Sequence, residues 1–145
     1  MKLVIQRVSH AKVMKHEILE VVGEIGVGLL VLVGVKKDDT ENSADLLAEK
    51  LVKLRVMSDG EKKMNLSVKD VGAEILVVSQ FTLYADTTGG NRPSFIEAAD
   101  GPTAKRIYDH FVGKLRTLGV KVATGSFGDY MDIEATLDGP VTILV

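Results

Sequence analysis

Two short stretches have the residue types to do chemistry, and neither contains a base. Ser79-Gln80-Phe81-Thr82 follows the apolar run Ile75 to Val78. A buried strand there would deliver hydroxyls, an amide and free backbone N–H groups to its end. Such fixed donors can stabilise developing negative charge. Alternatively, the hydroxyls are satisfied within turns. Gly139-Pro140 has no reactive side chain and offers backbone only. Pro140 gives up the N–H that strand pairing would use. Asp138-Gly139-Pro140 lies between the strand-like runs Asp132 to Leu137 and Val141 to Val145. That arrangement predicts a hairpin turn. The sharper reading is that this backbone faces something other than its own sheet. A third stretch, Gly90-Asn91-Arg92-Pro93-Ser94-Phe95, holds one cation and one aromatic. It could touch a phosphate or a base, or form a surface turn.

The usual nucleophilic machinery is missing. The histidines are His10, His16 and His110. His10 and His16 lie at turns, and His110 lies off the apolar face of a helix, so all three read as solvated. A Ser-His-Asp triad needs a positioned imidazole, and none is suggested. With no cysteine and no closely spaced histidines, a zinc site is not expected either. There is no G-x-x-x-x-G-K-[ST] loop. Gly23, Gly26 and Gly28 mimic a dinucleotide fingerprint, but a strand follows them where that motif needs a helix.

The elements that must position these stretches follow from periodicity. Lys2 to Ser9, Ala11 to Met14 and Ile18 to Ile25 read as strands. Gly28 to Val35 is apolar on both faces, as a central strand is. Asp39 or Thr40 caps a helix whose apolar positions are Ala44, Leu47, Leu51 and Leu54. Gly101-Pro102 opens a second helix carrying Ile107, Tyr108, Phe111, Leu115 and Leu118, and Gly119 stops it. Val120 to Thr124 and the last two runs are strands. The helices do not alternate regularly with strands. The expected fold is therefore a single α+β domain over residues 1–145, mostly antiparallel, with a partly closed barrel-like sheet covered by two main helices.

The chain's 145 residues suffice for one real core. Net charge is −2, which excludes a binder relying on bulk positive charge and leaves only local contacts to nucleic acid. The longest apolar run, Val27 to Val35, is too short to span a bilayer. The N-terminus lacks the apolar stretch of a signal sequence. A soluble cytoplasmic protein is expected.

Four segments together carry a resemblance. SQFTLYAD, GGNRPSF, DGPVT and the N-terminal IQRV stand in order at the right separations. In this the chain closely resembles the D-aminoacyl-tRNA deacylase family over essentially its whole length. LRVMSD, KMNLSV and the stretch Phe127 to Met131 extend the match. The resemblance implies a homodimer that hydrolyses the ester between a D-amino acid and the 3′-terminal adenosine of tRNA. It also implies clearance of glycine from mischarged tRNA, with no metal or organic cofactor. Ser79, Gln80, Phe81 and Thr82 would line the pocket for the adenosine and the scissile ester. Gly139 and Pro140 would form a cis peptide that enters the active site of the other subunit. Arg7 would anchor that loop across the interface; its alternative is an ordinary surface arginine. One position departs from the family. Leu137 stands where Asn is frequent, so an amide that could pin the loop is missing.

An aminoacyl ester is already activated, and the neighbouring ribose hydroxyl can assist attack. Positioning and charge stabilisation then suffice, with the N–H groups of Phe81 and Thr82 facing the oxyanion. Thr82 as nucleophile would need a base that the sequence does not show. From the residues alone, a non-catalytic RNA-end or small-ligand binding module is the first reading. A peptidase or general esterase is disfavoured by the missing histidine.

Overall fold

The computed structural model describes residues 1–145. The chain runs β1 (Lys2–Lys15), β2 (Val21–Ile25), β3 (Gly28–Gly34), α1 (Glu41–Lys53), β4 (Met57–Ser58), β5 (Met64–Leu66) and β6 (Glu74–Ser79). A 3-10 turn (Phe81–Tyr84), α2 (Gly101–Thr117), β7 (Lys121–Thr124) and β8 (Met131–Leu144) complete it. The main sheet is ordered β2-β1-β3-β6-β7, and β8 pairs with β1 off that path. β4 and β5 form a separate small ribbon.

The fold is α+β, as expected, and its sheet is mixed. β1 is antiparallel to β2, β3 and β8. β3, β6 and β7 are parallel. Parallel neighbours need a long crossover. α1 lies within the crossover from β3 to β6, and α2 within that from β6 to β7. The ribbon and the loop before α2 interrupt these crossovers, which is why their βαβ character is hard to see in the sequence.

Sheet closure depends on missing side chains. A Cβ on Gly23 would meet the Thr124 carbonyl oxygen at 2.3 Å, so glycine lets β2 approach β7. A Cβ on Gly28 would meet the Glu74 carbonyl oxygen at 2.0 Å, where β3 pairs with β6. Two cores result. Leu29, Val31, Val33, Ile75 and Val77 pack under the helices with Leu51, Ile107, Phe111 and Leu115. Val8, Val13, Ile25, Leu30, Leu76 and Val78 form the second core. β3 and β6 thus bury both faces, which accounts for their continuous apolar sequences.

Thr40 caps α1, accepting from the Ser43 N–H. Asp39 instead holds the Met1 ammonium and the Lys36 N–H. Asp100 caps α2 through the Thr103 N–H, and Gly119 ends that turn at φ +85°.

Two sequence boundaries dissolve. The runs Lys2 to Ser9 and Ala11 to Met14 form one strand, β1, with a register shift between Val8 and His10. The run from Ile18 begins as strand only at Val21, because Leu19 sits in a turn with φ +52°. The hairpin at the C-terminus is also absent. Asp132 to Leu137 and Val141 to Leu144 belong to one strand, β8, and both parts pair with β1. Gln6 faces Thr142 and Val8 faces Leu137. Two steps along β1 therefore oppose five along β8. The surplus residues of the Asp138–Val141 segment bulge out opposite Arg7. A missing proline N–H is harmless where the ladder is already interrupted.

Candidate active site

β6 ends at a cavity; of the four residues expected to line it, Ser79, Gln80 and Phe81 do and Thr82 does not. The cavity holds about 490 Å³. Val78, Ser79, Gln80 and Phe81 form one side. Gly101 and Ala104, small residues in the first turns of α2, leave it room. Phe127, Tyr130, Met131 and Ile133 form the remaining wall. Phe127 is held from beneath by Tyr108, with ring centroids 5.7 Å apart. The Tyr108 hydroxyl donates to the Val77 carbonyl at 2.8 Å, and burial pushes its phenol well above the usual value.

The strand gives way to a 3-10 turn immediately after Gln80. The Gln80 N–H still donates to the Val33 carbonyl at 2.8 Å, as part of the sheet. The N–H groups of Phe81 and Thr82 have no acceptor within the chain, as expected for the opening of a helical turn. Tyr84 anchors the turn. It is buried against Gly34, which has no Cβ to crowd its ring, and burial raises its phenol to about 12, with Asp39 adding to the shift. Thr82 sits just past the cavity wall, where its hydroxyl accepts from the Gln80 side-chain amide.

No histidine lines this cavity. His10 is exposed and bonded to Glu24. His16 is exposed, bonded to Asp132 at 2.9 Å and edge-on to Tyr130 at 4.8 Å. His110 is not simply solvated. It bridges α2 to α1 through Asp45 at 2.9 Å, so it serves helix packing. The one carboxylate on the cavity wall is Asp129. The Ser126 hydroxyl and the Lys15 ammonium beside it hold its carboxyl below the usual range, which makes it a poor base.

Arg7 is not an ordinary surface residue. It is only 8% exposed. Its guanidinium donates to the Val56 carbonyl at 2.9 Å and the Ser58 hydroxyl at 3.1 Å. It also pairs with the Asp138 carboxylate at 3.0 Å. Within the chain, Arg7 therefore ties the bulge to Val56 and Ser58. Within that bulge the Gly139-Pro140 peptide is cis and Gly139 has φ +123°. The bulge is remote from its own cavity. Ile133 lines the cavity, and Gly139 follows six residues later along β8, roughly 20 Å of extended strand.

Phe127, Tyr130, Met131 and Ala104 are wall residues to which sequence reasoning gave no role. The signal for the first three was an aromatic–glycine stretch directly after a strand. For Ala104 it was the run of small residues opening α2.

The chain is similar over its whole length to known proteins. The family model described as D-Tyr-tRNA(Tyr) deacylase matches residues 4–145. The chain belongs to that family, and so to a class of hydrolases. A D-aminoacyl-tRNA deacylase of Thermotoga petrophila is 54% identical over the whole chain and 96% of its own length. One from Bacillus licheniformis is 52% identical over the whole chain and 97% of its own length. Among solved structures, a c-Myc DNA unwinding element binding protein superposes with TM-score 0.93 at 38% identity, covering 100% of this chain and 97% of its own. A probable eukaryotic D-amino acid tRNA deacylase superposes with TM-score 0.86 at 17% identity over 99% of this chain and 97% of its own, which speaks to fold alone. No helix is long and apolar enough to cross a membrane.

Proposed function

We propose that the chain hydrolyses the ester of D-aminoacyl-tRNA, and of glycyl-tRNA mischarged on tRNA(Ala), as a cytoplasmic homodimer. The observation that carries this is the pairing of a preformed cavity with two unpartnered N–H groups, on Phe81 and Thr82, and no imidazole. An amide substrate would demand acid–base help that these residues lack. An activated ester demands chiefly orientation and a place for the oxyanion. The terminal adenosine occupies the cavity between the Ser79–Phe81 side and the aromatic wall. The ester carbonyl points at the Phe81 and Thr82 amides. The ribose hydroxyl next to the ester organises the attacking water. The bond between ribose oxygen and acyl carbon breaks, and the ribose oxygen regains its proton.

The second element is the Asp138–Val141 bulge. It is too far along β8 to reach its own cavity, so it serves the cavity of the partner subunit. There the backbone carbonyls of Gly139 and Pro140 accept from the substrate's α-ammonium. That orientation directs an L side chain into backbone, whereas glycine and D side chains point to open space. Selection of this kind excludes by shape and recognises no side chain. Many different D-amino acids are therefore accepted.

The solved relative described as a c-Myc DNA unwinding element binding protein supports a second reading, a non-catalytic nucleic-acid binding module. Purified protein incubated with D-Tyr-tRNA, L-Tyr-tRNA and glycyl-tRNA(Ala) separates the two. The enzyme releases D-tyrosine and glycine and spares the L ester. Tight binding to all three with no release would establish the module.

A further inference from the structure

Asp86 and Ser94 close a loop beside the cavity. The Asp86 N–H donates to the Ser94 carbonyl at 2.8 Å, and the Ser94 N–H returns to the Asp86 carbonyl at 2.9 Å. The Asp86 carboxylate also takes the N–H and hydroxyl of Thr88. At the end of the loop Phe95 meets Phe81 of the cavity wall edge-on, with centroids 5.0 Å apart at 71°. Phe81 lines the cavity, yet 55% of it remains exposed, as does 36% of Phe95. Aromatic surface is thus left in water where a nucleotide strand would leave the cavity. Such surface takes up a stacked base.

Several cations next in sequence or space to the cavity lining are already paired, whereas Arg92 in this loop, like Lys37, is not. Lys15 is paired with Asp129 at 3.2 Å, Lys36 with Glu97 at 3.4 Å, and Lys105 with Asp109. Arg92 is exposed and has no carboxylate partner and no side-chain hydrogen bond in the chain. It lies three residues before Phe95, at most about 10 Å of chain from that residue. A guanidinium without a partner can take a phosphate in its planar fork with no existing pair to break.

We propose that Arg92 holds a phosphate of the substrate's single-stranded 3′ end at the cavity mouth, while the exposed part of Phe95 stacks the base next to the terminal adenosine. This rests on the deacylase reading, because it takes the terminal adenosine to lie in the cavity. The aminoacyl ester lies on the far side of that adenosine from the phosphate, so the contact tightens binding and leaves the chemical step alone.

The test compares wild type with Arg92→Gln on two substrates: D-Tyr-tRNA, and D-tyrosyl-adenosine, which has no phosphate. On D-Tyr-tRNA the variant shows a KM raised about tenfold with unchanged kcat, the loss expected for one charge-assisted hydrogen bond. Its salt dependence weakens by about 0.7 in log–log slope. Arg92→Lys recovers part of the loss. On D-tyrosyl-adenosine wild type and variant are equal. An equal loss on both substrates would make Arg92 a loop support, and no loss on D-Tyr-tRNA would remove the contact; either overturns the proposal. If wild type releases tyrosine from neither substrate, the deacylase reading itself fails and this proposal falls with it.

Discussion

The guanidinium of Arg7 on β1 sits 3.0 Å from the carboxylate of Asp138 on β8, and it spans the point where the register of the two strands breaks. The same guanidinium reaches back to Val56 and Ser58 at the end of the first helical crossover. The backbone proposed to discriminate chirality is therefore braced by a buried cation of its own chain. Removing that cation leaves the Val56 carbonyl and Asp138 without their donor. Arg7→Ala should cost about 1–3 kcal/mol of stability, measured by urea unfolding. It should also raise cleavage of L-Tyr-tRNA relative to D-Tyr-tRNA, as the bulge loosens. Unchanged stability with unchanged selectivity would mean that the bulge holds itself.

Thr82→Ala tests whether positioning suffices. The Thr82 hydroxyl is bonded to Gln80 and lies off the cavity wall, whereas its N–H survives the substitution. The variant should keep kcat/KM for D-Tyr-tRNA within about tenfold of wild type, because only an accessory hydrogen bond is lost. A folded variant that still binds tRNA but is inactive would make Thr82 the nucleophile.

Acid should weaken the fold in a defined direction. Asp59, Asp70, Asp86, Asp100 and Asp129 are all held below the usual carboxylate value, in each case first by hydrogen bonds that they accept. A folded-state pKa below the unfolded one contributes stability that is present above the unfolded value and is lost as pH falls through the folded value. The urea midpoint should stay level down to about pH 5 and fall below about pH 4. In Asp100→Ala, which removes the α2 cap, the fall should be shallower. A midpoint that rises on acidification would contradict the hydrogen-bond assignments.

Much of this was legible in the sequence, for local reasons. The period of three to four in α1 and α2, the proline at the start of α2 and the two-sided apolar runs of β3 and β6 report their environment directly. The Ser79–Thr82 segment could be placed at a strand end because the apolar run before it stops abruptly. What escaped was long-range. Whether Gly139-Pro140 turns the chain or bulges from it depends on β1, about 130 residues away, which continues to pair on both sides. The side chain that braces the bulge, Arg7, was legible only through the family resemblance, and its partners were not legible at all. The partners of Arg7 lie at Val56, Ser58 and Asp138, and no periodicity joins these positions.

The central claim is that the cavity of one subunit works with the bulge of the other. Two variants test it: Ala104→Trp, which plugs the cavity, and a residue inserted between Gly139 and Pro140, which displaces the bulge. Each should be inactive alone or, for the insertion, should lose its preference for the D ester. In a mixed dimer, the unplugged cavity of one chain meets the intact bulge of the other. Co-expressed and randomly paired, the two should recover on the order of a quarter of wild-type D-Tyr-tRNA deacylation, since half the dimers hold one complete site. No recovery in a demonstrated mixed dimer would place the bulge in service of its own cavity and contradict the account.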